Sequence, residues 1–85
     1  MASIHKKLLE AVDLALAGDW QAAHAIAQDH EDDATANWIH AVVHWMEGDL
    51  SNARYWFRQA GQQMSDHPGP AETLRAIKAT LERHR

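Results

Sequence analysis

Cysteine is absent from the 85 residues. That one absence excludes disulfide scaffolds, thiolate zinc sites, iron–sulfur clusters and cysteine nucleophiles. Proline is scarce, and both copies fall in "SDHPGP" (65–70), where they break the chain. Pro70 suits the first position of a last helix. The four glycines stand at expected helix ends and in that same turn. No glycine-rich loop is therefore present to cradle a phosphate, and no recognisable nucleophile or oxyanion hole accompanies one. Long apolar runs are missing too. The longest uncharged stretch, Ala34 to Met46, is 13 residues with two histidines, too short to span a bilayer. Basic residues are missing from the middle: positions 10–50 hold nine acids and no Lys or Arg, within a net charge of −4. Such a chain is a poor nucleic-acid binder, because phosphate neutralisation needs a basic surface. Period-two alternation is absent, so no strand is expected.

What is present is helical. The four tryptophans and 46% apolar content suffice for one metal-free domain over 1–85, above the ~70–80 residues below which small cores usually need staples. The N-terminal "MASIHKKLLEAVDLALAG" has the basic-then-apolar order of an export signal. Glu10 and Asp13 interrupt it and its leucines recur at helical spacing, so it reads as a structural helix with Ser3 as N-cap and Gly18 as stop. The expectation is a cytoplasmic soluble protein. Asp19 caps a second helix carrying Trp20, Ala23, Ile26, Ala27 and His30 on one face. A third runs from about Thr35 to Glu47. Asp49 or Ser51 caps a fourth, with Leu50, Ala53, Trp56, Phe57, Ala60 and Met64 inward. Leu74, Ile77 and Leu81 make the stripe of a fifth.

An internal repeat organises these helices. "AVDLALAGDWQAAHAIA" from Ala11 and "AVVHWMEGDLSNARYWF" from Ala41 align without gaps at a spacing of 30. Gly ends one helix in a left-handed cap, Asp caps the next, and a small Ala lets the two helices approach closely. The prediction is an all-α fold of five helices. Hairpin 1 covers about 4–30, hairpin 2 about 35–64, and a capping helix about 70–84.

"GDLSNARYWFRQA" (48–60) resembles the second-helix signature of tetratricopeptide repeats, through Gly48, the apolar plug Leu50, small Ala53, aromatic Phe57 and small Ala60. Ala41 falls where such repeats want a small residue in the first helix, and "GDWQAAHAIA" matches through Ile26 and Ala27. The resemblance covers about residues 8–60, with a period of 30 rather than the family's 34. The string W-x-H-A-x-x-H-x-x-E-G-D-x-x-N-A-x-Y-W-F-R-x-A-G (38–61) is also similar to a group of uncharacterised bacterial proteins, which lends no activity. The repeat resemblance implies a protein-interaction module, binding by shape and exposed aromatics without catalytic chemistry. Trp38, Trp45, Tyr55, Arg54 and Arg58 are the candidate partner-binding residues. The charge asymmetry can steer a basic protein partner or favour self-association.

The histidines carry the alternatives. At about 100° per residue, Asn37, His40, His44 and Glu47 fall on one narrow polar stripe of the third helix, opposite a broad apolar face with Trp38, Val42 and Trp45. His40 and His44 at i, i+4 can both direct a ring nitrogen at zinc or another divalent transition metal, with Glu47 or His24 completing the set; His30 is a further candidate. The metalloprotease pattern needs Glu directly after the first His, and Ala41 stands there. Acid–base work by His40, His44 and Tyr55 is a third reading. The preferred one is a polar, hydrogen-bonded seam in a cofactor-free, non-enzymatic protein. The repeat register would press His40 and His44 against the partner helix, semi-buried and hydrogen-bonded to Asn52 or Tyr55, and leave Thr35, Trp38, Val42 and Trp45 facing a groove. We take the apolar stripe as the stronger argument, which puts the tryptophans inside.

Overall fold

A computed structural model describes residues 4–83. The chain folds as α1 (Ile4–Leu16), α2 (Trp20–Gln28), α3 (Ala34–Met46), α4 (Leu50–Ala60) and α5 (Pro70–Arg83), with a short 3-10 turn at Met64–Asp66. No strand occurs among the described residues. The fold is all-α, as the periodicity predicts. The N-cap expected at Ser3 lies outside the described residues.

Local chemistry sets the turns. Asp19, Asp33 and Asp49 each cap the helix that follows, accepting from the backbone N–H of Ala22, Ala36 and Asn52 at 3.2, 2.9 and 3.5 Å. The Asp33 cap starts α3 at Ala34, one residue before the predicted Thr35. Gly18 and Gly48 have φ of 93° and 87°. At the second turn, Gly48 N–H donates to Trp45 C=O and Asp49 N–H to His44 C=O; Gly18 and Asp19 do the same to Ala15 and Leu14. Each pair satisfies carbonyls that a helix end would leave orphaned. Asp49 therefore closes α3 with its backbone and opens α4 with its side chain.

A Cβ on Gly18 or Gly48 would meet nothing within 4 Å, so the only cost of a side chain there is the left-handed backbone. Gly48→Ala and Gly18→Ala are each expected to lower stability by about 1–2 kcal/mol. Denaturant melts of the two variants should shift alike. A third such turn at Gly61, φ 72°, ends α4 at Ala60. The second hairpin's helix thus stops four residues short of the predicted Met64.

Packing makes α3 the centre. It lies most extensively against α4 and also against α2, α5 and α1, while α1 packs on α2. Residues Ala36 to Val43 are all buried. The C-terminal helix does not extend the stack beyond α4. It returns across α1 and α3, burying Leu74, Ile77 and Leu81 in the same core as Leu8, Val12, Ile39 and Val42. Lys78 Nζ donates to Asp13 Oδ1 at 2.8 Å across that contact, and the carboxylate raises the lysine's pKa. The pair is exposed and adds little stability. Leu50, predicted as the inward plug of the second turn, is 42% exposed. The Gly48–Asp49 turn closes through backbone bonds and has no need of it.

Candidate functional site

Two features stand out around the α3–α4 hairpin. The first is a cluster of histidines. His24 from α2 meets His40 and His44 from α3, with ring centroids 4.7 and 5.2 Å away, and His40 and His44 lie 4.9 Å apart. The His24 ring stands nearly perpendicular to both, at 86° and 81°. One ring nitrogen from each of the three lies within 4.8 Å of the others. His30, the other candidate on α2, does not join this group.

The environment of His40 departs from the predicted hydrogen-bonded seam. The residue is 3% exposed, and its ring stacks on Trp56 of α4 at 4.1 Å and 14°. Its Nδ1 is buried without a hydrogen-bond partner, as is Asn37 Oδ1. An unpaired polar atom of this kind costs about 1–3 kcal/mol. Neither expected partner reaches it: the Asn52 amide donates to Asp49 Oδ2 at 2.6 Å, and the Tyr55 ring meets Trp56 edge-on. Burial, with the nearby His24 and His44 adding to it, pushes the His40 pKa down to about 4. His40 is thus a neutral imidazole at physiological pH, the form that ligates metals. The repeat register anticipated His40 against the partner helix, and the apolar stripe anticipated Trp38 inside. Both are true because α3 is covered all round.

His44 sits at the rim. Its Nδ1 lies 2.6 Å from Glu47 Oε1 and 4.0 Å from Asp49 Oδ2. The Asn52 side chain, donating to Asp49, holds that carboxyl below the usual range. Glu47 therefore contacts Nδ1 of His44 and does not join the donors that gather from His24, His40 and His44. The sequence marked all four of these residues but missed Trp56 as the wall behind His40 and treated Asp49 only as a cap. The i−4 spacing from Trp56 to Asn52 and the turn geometry hold the signal for both, once α4 is laid on α3.

The second feature is a cleft of about 590 Å³ beside α4 and the turn that follows it, lined by Trp45, Arg54, Phe57, Arg58, Met64 and His67 among others. Trp45 and Phe57 form its floor, edge to face with centroids 6.1 Å apart. Arg54 and Arg58 are exposed one helical turn apart, and neither has an ion-pair partner among the described residues. The cleft unites three of the predicted partner-binding residues. Trp38 is corrected: at 8% exposure it is a core residue, because α5 covers the face of α3 that a groove would need. Tyr55 is 45% exposed but lies outside the cleft lining.

Among the described residues no helix is long and apolar enough to cross a membrane. No protein-family model matches the chain, and no curated protein or solved structure shows significant similarity to it.

Proposed function

We propose that the protein is a small binding module, of the helical-hairpin kind that its repeat resembles, which holds an acidic, aromatic- or leucine-bearing segment of a partner protein in the cleft beside α4. The observation that carries this is the pair of unpaired guanidinium groups, Arg54 and Arg58, at the edge of the aromatic floor made by Trp45 and Phe57. Arginine and aromatic residues dominate interface hot spots, because they combine large contact area with directional hydrogen bonding. A carboxylate presented to such a fork gains charge-assisted hydrogen bonds while its apolar neighbour covers the floor. The cleft's positive sign selects an acidic segment, opposite to the basic partner that the acidic middle of the chain would steer. The binding role requires no catalytic group.

Fluorescence polarisation with labelled peptides pairing Asp or Glu with Leu or Phe tests this reading. Acidic peptides should bind, and Lys-substituted counterparts should not. Arg54→Glu/Arg58→Glu is expected to weaken binding at least tenfold, about 1.4 kcal/mol, without lowering the melting temperature, since both side chains are exposed. Binding that ignores peptide charge, or that survives the double reversal, refutes the proposal. Sedimentation at rising concentration shows separately whether a second copy occupies the cleft.

A further inference from the structure

We infer that His24, His40 and His44 form a binding site for one divalent transition-metal ion of the zinc class, with Glu47 as the positioning residue for His44. This site shares no residue with the Arg54–Arg58 cleft and stands independently of it.

Three observations converge. The first is the meeting of donors from two helices. The i, i+4 spacing places His40 and His44 on one face of α3, and α2 packs against that helix so that His24 adds a third imidazole. Zinc sites with three protein nitrogens and one open position are an established coordination pattern, and they need Zn–N distances of about 2.0–2.1 Å. Tetrahedral angles at that bond length put the nitrogens roughly 3.3 Å apart. The nitrogens here already lie within 4.8 Å of one another, within about 1.5 Å of that spacing.

The second observation is the contact behind His44. A ligating histidine usually donates its other ring N–H to a carboxylate, which fixes the tautomer and raises the basicity of the ligating nitrogen. Glu47 Oε1 at 2.6 Å from His44 Nδ1 supplies that contact. The Nδ1–H tautomer leaves the lone pair on Nε2, away from Glu47. The fit also explains why Glu47 belongs to the cluster without entering it.

The third is the state of His40. Its Nδ1 is buried with no partner, and a buried polar atom in that state calls for a water, an ion or a role of its own. Trp56, stacked on the ring at 4.1 Å, fixes its plane and walls the site on the α4 side. His24 and His44 are only half-buried, which leaves the outer side open for the ion to enter and for a fourth ligand. A purely structural aromatic cluster would account for the stacking on Trp56. It would account for neither the orphaned nitrogen nor the carboxylate behind His44.

Titration calorimetry of the untagged full chain with zinc chloride alone tests the site. Wild type is expected to bind one ion with a Kd of about 1 µM or tighter. His24→Ala should weaken binding at least a hundredfold. Glu47→Gln should weaken it about 10–100-fold, as loss of an orienting partner does elsewhere. His30→Gln and His67→Gln serve as controls and should leave the Kd unchanged. Where His40→Ala fails to fold, His40→Phe preserves the stack on Trp56 and still removes the nitrogen. Cobalt(II) loading should give the intense visible absorption of a four-coordinate centre, lost in His24→Ala. Wild-type zinc binding weaker than about 100 µM, or a Kd indifferent to His24→Ala, overturns the inference.

Discussion

Ile77→Ala is expected to remove about 3–4 kcal/mol of folding stability, within the range measured for truncating fully buried aliphatic side chains. Ile77 is 0% exposed on α5, and that helix is the lid over α1 and α3. The truncation deletes the apolar contact and leaves a cavity between three helices that cannot all collapse onto it. A domain of this size has a total stability of roughly 4–13 kcal/mol, so the loss is a large share of the whole. Leu50→Ala is the contrast. The side chain was expected to plug a turn but is 42% exposed, and its loss should cost about 0.5 kcal/mol or less. Urea melts of both variants read the difference as a shift in midpoint at unchanged slope. Equal shifts would mean that α5 does not act as a lid over α1 and α3.

Stability should also fall steeply on mild acidification. His40 titrates at about 4 in the fold and at about 6.5 when unfolded. A depressed folded value means the unfolded chain takes up the proton first. The contribution is therefore complete above the unfolded pKa and is lost as pH falls from about 6.5 toward 4. Between pH 7.5 and 4.5 the loss attributable to this one group is on the order of 2–3 kcal/mol. Protonation places a cation beside Trp56 in a closed interior and next to His24 and His44, the two groups that already oppose it. His40→Phe keeps an aromatic ring against Trp56 and cannot protonate. Melts of the metal-free protein with chelator present, across that pH range, should show a markedly flatter profile for the variant. A wild-type profile no steeper than that of His40→Phe would remove His40 as the acid-sensitive group.

The turns and caps were legible in the sequence because their interactions span six residues or fewer. Gly18–Asp19 and Gly48–Asp49 carry the positive-φ glycine and the capping carboxylate in adjacent positions, so composition and order are enough to place them. The stripes on α1 and α5 were equally readable, since each has one covered face: Leu8, Val12 and Ala15 on one, Leu74, Ile77 and Leu81 on the other. The i, i+4 pairing of His40 and His44 and the aromatic–arginine composition of "WMEGDLSNARYWFR" were visible in the same way.

Tertiary structure decided what those local patterns meant. An amphipathic reading assigns a helix one wet side, yet α3 has none along Ala36–Val43, because α2, α4 and α5 arrive from both directions in sequence. That turned the polar stripe into a buried histidine stacked on Trp56, and it kept Trp38 in the core where the apolar stripe put it, which removes it from the partner-binding residues. The return of α5 across α1, with Lys78 beside Asp13, leaves no trace in either helix's own periodicity. His24 joins His40 and His44 only through the angle at which α2 meets α3. Hydrogen bonding along the chain is set by neighbours in sequence. Burial and convergence of side chains are set by neighbours in space, and only the fold chooses those.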